Sequence, residues 1–249
     1  MSDMVHGLFE AQEVALRQAL QPWKREIEPH LNQMQTDPHW RILPAFTAAV
    51  NRSLSNVPAC TEGLPCIFSM LYLADHIHNR VRDDEEGQRY DSALQLGILT
   101  GDLILGRAVE MLCEIGGFAL LDDFAALVAR INEGHALRKL GTSGGDFETI
   151  AIEKGTFYRY ACIAAADAAT LSQSARDRFG EFGQRLGDTL AARFSGIDPI
   201  RPINREKARE LVCGDERLIP LMHTPFWGLI ETLLDENRTG QLFMPEETA

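Results

Sequence analysis

Helical periodicity runs through almost the whole of this 249-residue chain, and the strict alternation of a β-strand is nearly absent. Val5, Leu8, Phe9, Leu16 and Leu20 fall on one helical face before Pro22 interrupts the pattern. A second segment is expected from Pro44, placed in a first helical turn, through Leu54, and a third from about Leu64-Pro65 through Ile67, Met70, Leu71 and Ile77. Asp91 to Ile115 is strongly apolar and is expected to stop at Gly116-Gly117. Leu120, Leu121, Phe124, Leu127, Val128 and Ile131 form the next stripe, and Gly141–Gly145 reads as a short loop. A long helical segment follows from Asp146 to the alanine run ending at Ala169, and Ser174 is a candidate cap for a helix burying Phe179, Phe182, Leu186 and Leu190. A short helix near Arg205–Val212 and an interrupted one from Ile219 to Asp235, with Pro225 inside, complete the pattern. No repeat or composition shift marks a linker, so the expectation is an all-α, single-domain helical bundle over residues 1–249.

Charge narrows the partners. Lys plus Arg is 24 and Asp plus Glu is 36, giving a net charge of −12 and no broad electrostatic footing on nucleic acid or an anionic membrane. No apolar run reaches the ~18 residues that suggest a membrane span, and the N-terminal residues lack a secretory pattern. Five scattered cysteines without a C-x-x-C pair suit reduced, mostly buried thiols, and a cytoplasmic location is expected.

The chemistry is sparse. In Leu73-Ala74-Asp75-His76-Ile77-His78-Asn79, Asp75 and Asn79 are i,i+4 neighbours and His78 lies at i+3 from Asp75. Oxygen and imidazole ligands at that spacing could hold a divalent metal, but a helix emerging into a solvated, charged turn explains the same pattern and is favoured on spacing alone. Asp122-Asp123 suits the positive end of a helix dipole. His135 falls on the polar side of its stripe and is expected to be exposed. Gly141–Gly145 is neither a P-loop nor a dinucleotide fingerprint.

Taken in order from Arg41 to Pro220, several segments resemble the trans-isoprenyl diphosphate synthase family, all-α enzymes that elongate allylic diphosphates with isopentenyl diphosphate. Arg41-Ile42-Leu43-Pro44 is similar to the diphosphate-gripping G-K-R-x-R-P segment, with Trp40 at the lysine. Asp75, His76 and Asn79 stand at the first D-D-x-x-D motif. Leu99-Thr100-Gly101-Asp102-Leu103 resembles V-G-D-x-L, and His135 and Arg138 stand at the Gln and Asp of G-Q-x-x-D. Lys154 matches the lysine of the K-T pair. Phe182-Gly183 and Gly187, then Phe194 through Asp198, align with F-G-x-x-x-G and the second aspartate-rich motif, of which Asp198 alone is left. Gly214-Asp215 through Pro220 resembles G-K-x-T-L-P.

The resemblance implies the isoprenoid synthase fold. It makes Arg41 and Lys154 remnants of substrate binding, and Asp75, Asn79 and Asp198 remnants of metal binding, with Mg²⁺ as the cofactor if the chain turns over. Six motif carboxylates have become two, and electrostatic stabilisation of the departing diphosphate is the largest catalytic contribution lost with them. The reading that follows is a non-catalytic or regulatory subunit that supports a catalytic prenyltransferase and shapes product length, as a homodimer or in a heteromer. Its interface is expected on the helices Asp91–Ile115 and Phe118–Leu140. Two alternatives remain open at this point: a divergent, active Mg²⁺-dependent prenyltransferase or terpene synthase, and a helical protein that binds a prenyl chain or other lipid.

Overall fold

The computed structural model describes residues 2–54, 57–80, 92–141, 146–199 and 202–235. The side chain of Val5, the charged run 81–86, Asp91 and the loop residues 142–145 lie outside them. Among the described residues all regular structure is helical: α1 (Ser2–Ala19), α2 (Lys24–Met34), α3 (Pro38–Leu54), α4 (Pro58–Asn79), α5 (Ser92–Glu114), α6 (Leu121–Leu140), the short α7 (Asp146–Ile150), α8 (Thr156–Ala168), α9 (Gln173–Ser195), α10 (Arg205–Cys213) and α11 (Pro225–Leu234). The all-α expectation holds.

Proline misplaced several expected boundaries. Helix α3 starts at Pro38, six residues before Pro44, because the Asp37 carboxylate accepts the His39 N–H at 2.9 Å and Pro38 needs no donor in the first turn. Pro44 therefore lies inside the helix. Helix α4 likewise begins at Pro58, with Pro65 inside it. Helix α2, which carries an internal Pro29, was not anticipated. Pro225 opens α11 after a 3₁₀ turn instead of interrupting a longer helix. The cap of α9 is Ser172, not Ser174: its side chain accepts the Ala175 N–H at 3.2 Å. Stops were more legible, since Gly116, Gly141 and Gly196 all take the left-handed conformation at helix ends.

Helix α4 lies in the centre, apolar on nearly every side, with Leu64, Ile67, Phe68, Met70 and Leu73 fully buried. It packs against α3 and α5, while α8 and α9 form a second tight pair. A Cβ at Gly183 would lie 2.4 Å from the Tyr158 carbonyl oxygen, and one at Gly187 would lie 2.7 Å from the Gly155 Cα. Those two glycines let the α8 and α9 backbones touch, and the buried Ala164, Ala165 and Ala166 serve close packing too. Across the outside, Arg176 of α9 binds both carboxylate oxygens of Asp123 on α6 at 2.6 Å and reaches Asp167 of α8 at 2.8 Å. Asp123 is thus a tie between helices beyond any dipole role. The five cysteines form no disulfide; Cys60, Cys66 and Cys162 are buried and Cys213 is exposed.

One irregularity positions the site. Between α7 and α8 the chain makes a π-helical turn over Ala151–Gly155, a feature that often marks functional positions. It puts the consecutive residues Glu153 and Lys154 into two different polar networks.

Candidate functional site

The first network closes the end of α4. Asp75 Oδ1 is 2.6 Å from His135 Nε2, and His135 Nδ1 is 2.9 Å from Glu153 Oε1. Arg138 Nη2 lies 3.0 Å from the same Glu153 oxygen and donates to Asn79 Oδ1 at 3.1 Å. The side chains of Asp75, His135 and Glu153 are only 12%, 13% and 4% exposed, so these charges are held in a poorly solvated setting where unpaired ions would be costly. Burial by itself would lower the His135 pKa; hydrogen bonding to Asp75 and Glu153 overcomes it and holds the imidazole at about 9. At pH 7 His135 is therefore a cation, and together with Arg138 it balances the two carboxylates.

This corrects the expectation that His135 is exposed. His135 turns toward the end of α4 and the π-turn, while Arg130, Asn132 and Glu133 of the same helix remain exposed. Gly134 permits the approach, since a Cβ there would sit 2.8 Å from the Ile152 side chain. His78 turns to the other side, 3.2 Å from Asp102 of α5. Burial and the nearby Lys154 and Arg80 charges push the His76 pKa down to about 4, leaving it neutral.

The second network runs from Lys154. Its Nζ donates to the Tyr72 hydroxyl at 2.6 Å and lies 4.3 Å from the centre of the Tyr72 ring. Tyr72 in turn donates to Asp37 Oδ2 at 2.7 Å, and Asp37 Oδ2 is 3.7 Å from Lys154 Nζ. Burial would raise the Asp37 carboxyl, but Lys154, His39 and Tyr72 together keep it below the ordinary carboxylate range. Next to it, His39 Nδ1 lies 2.9 Å from the Tyr158 hydroxyl, and Phe194 packs edge-on to His39 with ring centroids 5.2 Å apart. Burial lowers the His39 pKa to about 4, so it is a neutral partner in this aromatic cluster.

The predicted site residues thus separate. Asp75 and Asn79 share one network, and Lys154 belongs to the neighbouring one. Arg41 instead places its guanidinium 5.6 Å from the centre of the Phe9 ring of α1. Asp198, beyond the Gly196 stop, lines a different surface groove with Arg193 and Arg205. Among the described residues no group of three or more His, Cys, Asp or Glu side chains is arranged to hold a metal ion. The Mg²⁺ cluster implied by the resemblance does not fit these side chains: the Asp75 and Asn79 oxygens already face cations, and Phe194 offers no ligand.

Below Asp75 lies a cavity of about 140 Å³, floored by Leu71, Ala74, Leu105, Val128 and Ile131. That is close to the roughly 150 Å³ that holds one benzene ring. Leu71 lines it, whereas Met70 is core. Glu153, Asp37 and Tyr72 were not singled out in the sequence. The one local hint was Glu153 itself, a carboxylate between Ile152 and Lys154 in an otherwise apolar stretch.

No protein-family model matches the chain. A curated relative, the decaprenyl-diphosphate synthase subunit 2 of Schizosaccharomyces pombe, is 25% identical over 135 residues, 53% of this chain and 45% of that protein. The match therefore spans less than half the length of that relative. A decaprenyl diphosphate synthase from Rhodobacter capsulatus superposes with a TM-score of 0.64 at 14% identity, covering 98% of this chain and 84% of the other. A heterotetrameric geranyl pyrophosphate synthase from mint gives 0.62 at 12% identity, covering 95% and 100%. The fold is that of the trans-prenyl diphosphate synthases. The resemblance drawn from the motifs is borne out. No helix among the described residues is long and apolar enough to cross a membrane.

Proposed function

We propose that this chain is a non-catalytic subunit of a polyprenyl diphosphate synthase, joining a catalytic homologue and helping to set the length of its product. The observation that carries the proposal is the pairing of Asp75 with His135, backed by Arg138 on Glu153 and Asn79. A synthase site presents surplus negative charge so that Mg²⁺ can bind and neutralise the departing diphosphate. Here the surplus is cancelled from within by two fixed cations. Mg²⁺ would have to displace buried ion pairs to reach a single carboxylate, and nothing in the second motif region would compensate.

The partner surface is read from α5. Leu96, Leu99 and Leu103 lie on its solvent side at helical spacing, 53%, 65% and 36% exposed. An apolar row on the outer face of a helix costs solubility unless another protein covers it. The relative from fission yeast bears the name of a synthase subunit, and the mint structure is of a heteromeric synthase; both support a heteromeric partner. A lipid carrier, by contrast, needs a long apolar cavity, and the one beneath Asp75 has room for about one ring-sized fragment.

The test is co-expression with a full-motif polyprenyl diphosphate synthase of the same organism. Co-elution of the two chains, with turnover or product length changed relative to the catalytic chain alone, is expected. Leu99→Glu should abolish co-elution while leaving the helical circular dichroism intact. A synthase whose elution, rate and products are indifferent to this chain would overturn the proposal.

A further inference from the structure

Behind the motif networks, the π-turn borders an open groove of about 980 Å³ between α6, α8 and α9. Two half-buried, opposite charges line it without an ion partner among the described residues: Asp188 of α9 and Arg159 of α8. Elsewhere the chain pairs such groups closely, with Asp37, Asp75, Asp123, Asp167 and Glu153 each within 3.7 Å of a cationic side chain. Asp188 accepts one neutral hydrogen bond instead, from Gln184 Nε2 at 2.8 Å. Its carboxylate lies against the π-turn backbone, where a Cβ at Gly155 would come within 2.1 Å of Oδ1, so the glycine makes room for it.

Helices α8 and α9 run antiparallel, Gly155 beside Gly187 and Tyr158 beside Gly183. The Arg159 guanidinium lies beside Gly180, its Cζ 3.8 Å from where a Cβ would sit there, so it is eight residues from Asp188 along α9, roughly 12 Å. Burial raises the Asp188 carboxyl to about 6, with Gln184 and Arg185 pulling the other way, a cost that a bound cation would relieve. Glu133 and Glu148 line the groove as well, but a divalent metal is a poor match: it requires several convergent hard oxygens, and no three such side chains among the described residues are arranged to hold one. A ligand with a charge at each end matches both groups. Ala126 and Ala129 on the facing wall leave space for a short aliphatic middle.

We propose that this groove binds a small zwitterion, its ammonium group on Asp188 and its anionic end on Arg159. The inference is independent of the subunit reading. The experiment is a titration of the full chain, followed by amide NMR shifts and calorimetry, with 3-aminopropionate, 4-aminobutyrate, 6-aminohexanoate and 2-aminoethyl phosphate. Butylammonium and butyrate serve as single-charge controls. The expected result is binding with an optimum chain length, weakened at least about ten-fold by D188N and by R159Q, and at least about ten-fold weaker for either control, as loss of one charge pair requires. A tighter aminoethyl phosphate would identify the anionic end as phosphate, and a tighter amino acid would identify it as carboxylate. The proposal is overturned if no zwitterion binds, if the controls bind equally well, or if both variants bind like the parent while retaining the parent fold by circular dichroism.

Discussion

The regions around Asp75 and around Phe194, which the sequence resemblance sets at the two aspartate-rich motifs, are built with opposite chemistry. Near Asp75 the polar character is kept and turned inward: His135 and Arg138 supply cations, and Glu153 and Asn79 complete a closed network. Near Phe194 polarity is discarded: an aromatic ring packs against neutral His39, and Asp198 is left in a groove beyond the helix end. Charge is thus settled in two ways, by pairing carboxylates with internal cations or by aromatic packing around a neutral ring. The first route leaves stability dependent on ionisation, and the second leaves it dependent on packing.

The largest effect expected from that contrast is for His135→Ala. It leaves Asp75 and Glu153 with one cation between them in a poorly solvated place, and urea denaturation should show a loss of about 3 kcal/mol. A loss below ~1 kcal/mol would mean the network is solvated and the contrast is overstated. Phe194→Ala should cost less, about 2 kcal/mol, because the ring is only partly buried, and this loss should be flat through the alkaline range, where the His39 it packs against does not titrate.

pH separates the two regions further. The folded His135 pKa of about 9 exceeds the unfolded value near 6.5, so its stabilisation is complete below pH ~6.5 and is lost as pH rises through 9. His39 and His76 shift the other way, to about 4, so their neutral burial favours the fold above pH ~6.5 and is lost as pH falls toward 4. The urea midpoint should therefore peak near neutrality. His135→Asn should flatten the alkaline limb and leave the acid limb; an unchanged alkaline limb would contradict the charged imidazole. The smallest effect is expected for Asp198→Asn, within about 0.5 kcal/mol of the parent, as for a surface residue outside any network.

Local periodicity carried most of the helices, α2 excepted, and their glycine stops, because each depends on residues a few positions apart. It carried their starts poorly. Pro38 and Pro58 open α3 and α4, yet Pro44 and Pro65 looked equally suitable, and only burial and capping contacts distinguish them. The site was legible as a set of positions but not as an arrangement. Asp75, Asn79 and Lys154 could be aligned with family motifs, whereas the bond from His135 to Asp75 spans 60 residues and depends on how α6 leans on α4. Separation in sequence likewise hid Asp37 beneath Lys154, and Asp188 behind Gly155. Arg41 was misleading for a related reason: its side chain found the aromatic ring of α1, an element with no counterpart in the motif alignment.

The central claim is that internal cations have replaced metal chemistry at Asp75, and diphosphate release by the purified chain tests it most directly. The assay contains Mg²⁺, isopentenyl diphosphate and a short allylic diphosphate, beside an Asp75→Ala variant prepared identically. The account predicts no release above that variant. Release by the parent that the variant lacks would contradict it, and would show that Asp75 still serves a metal ion despite its pairing with His135.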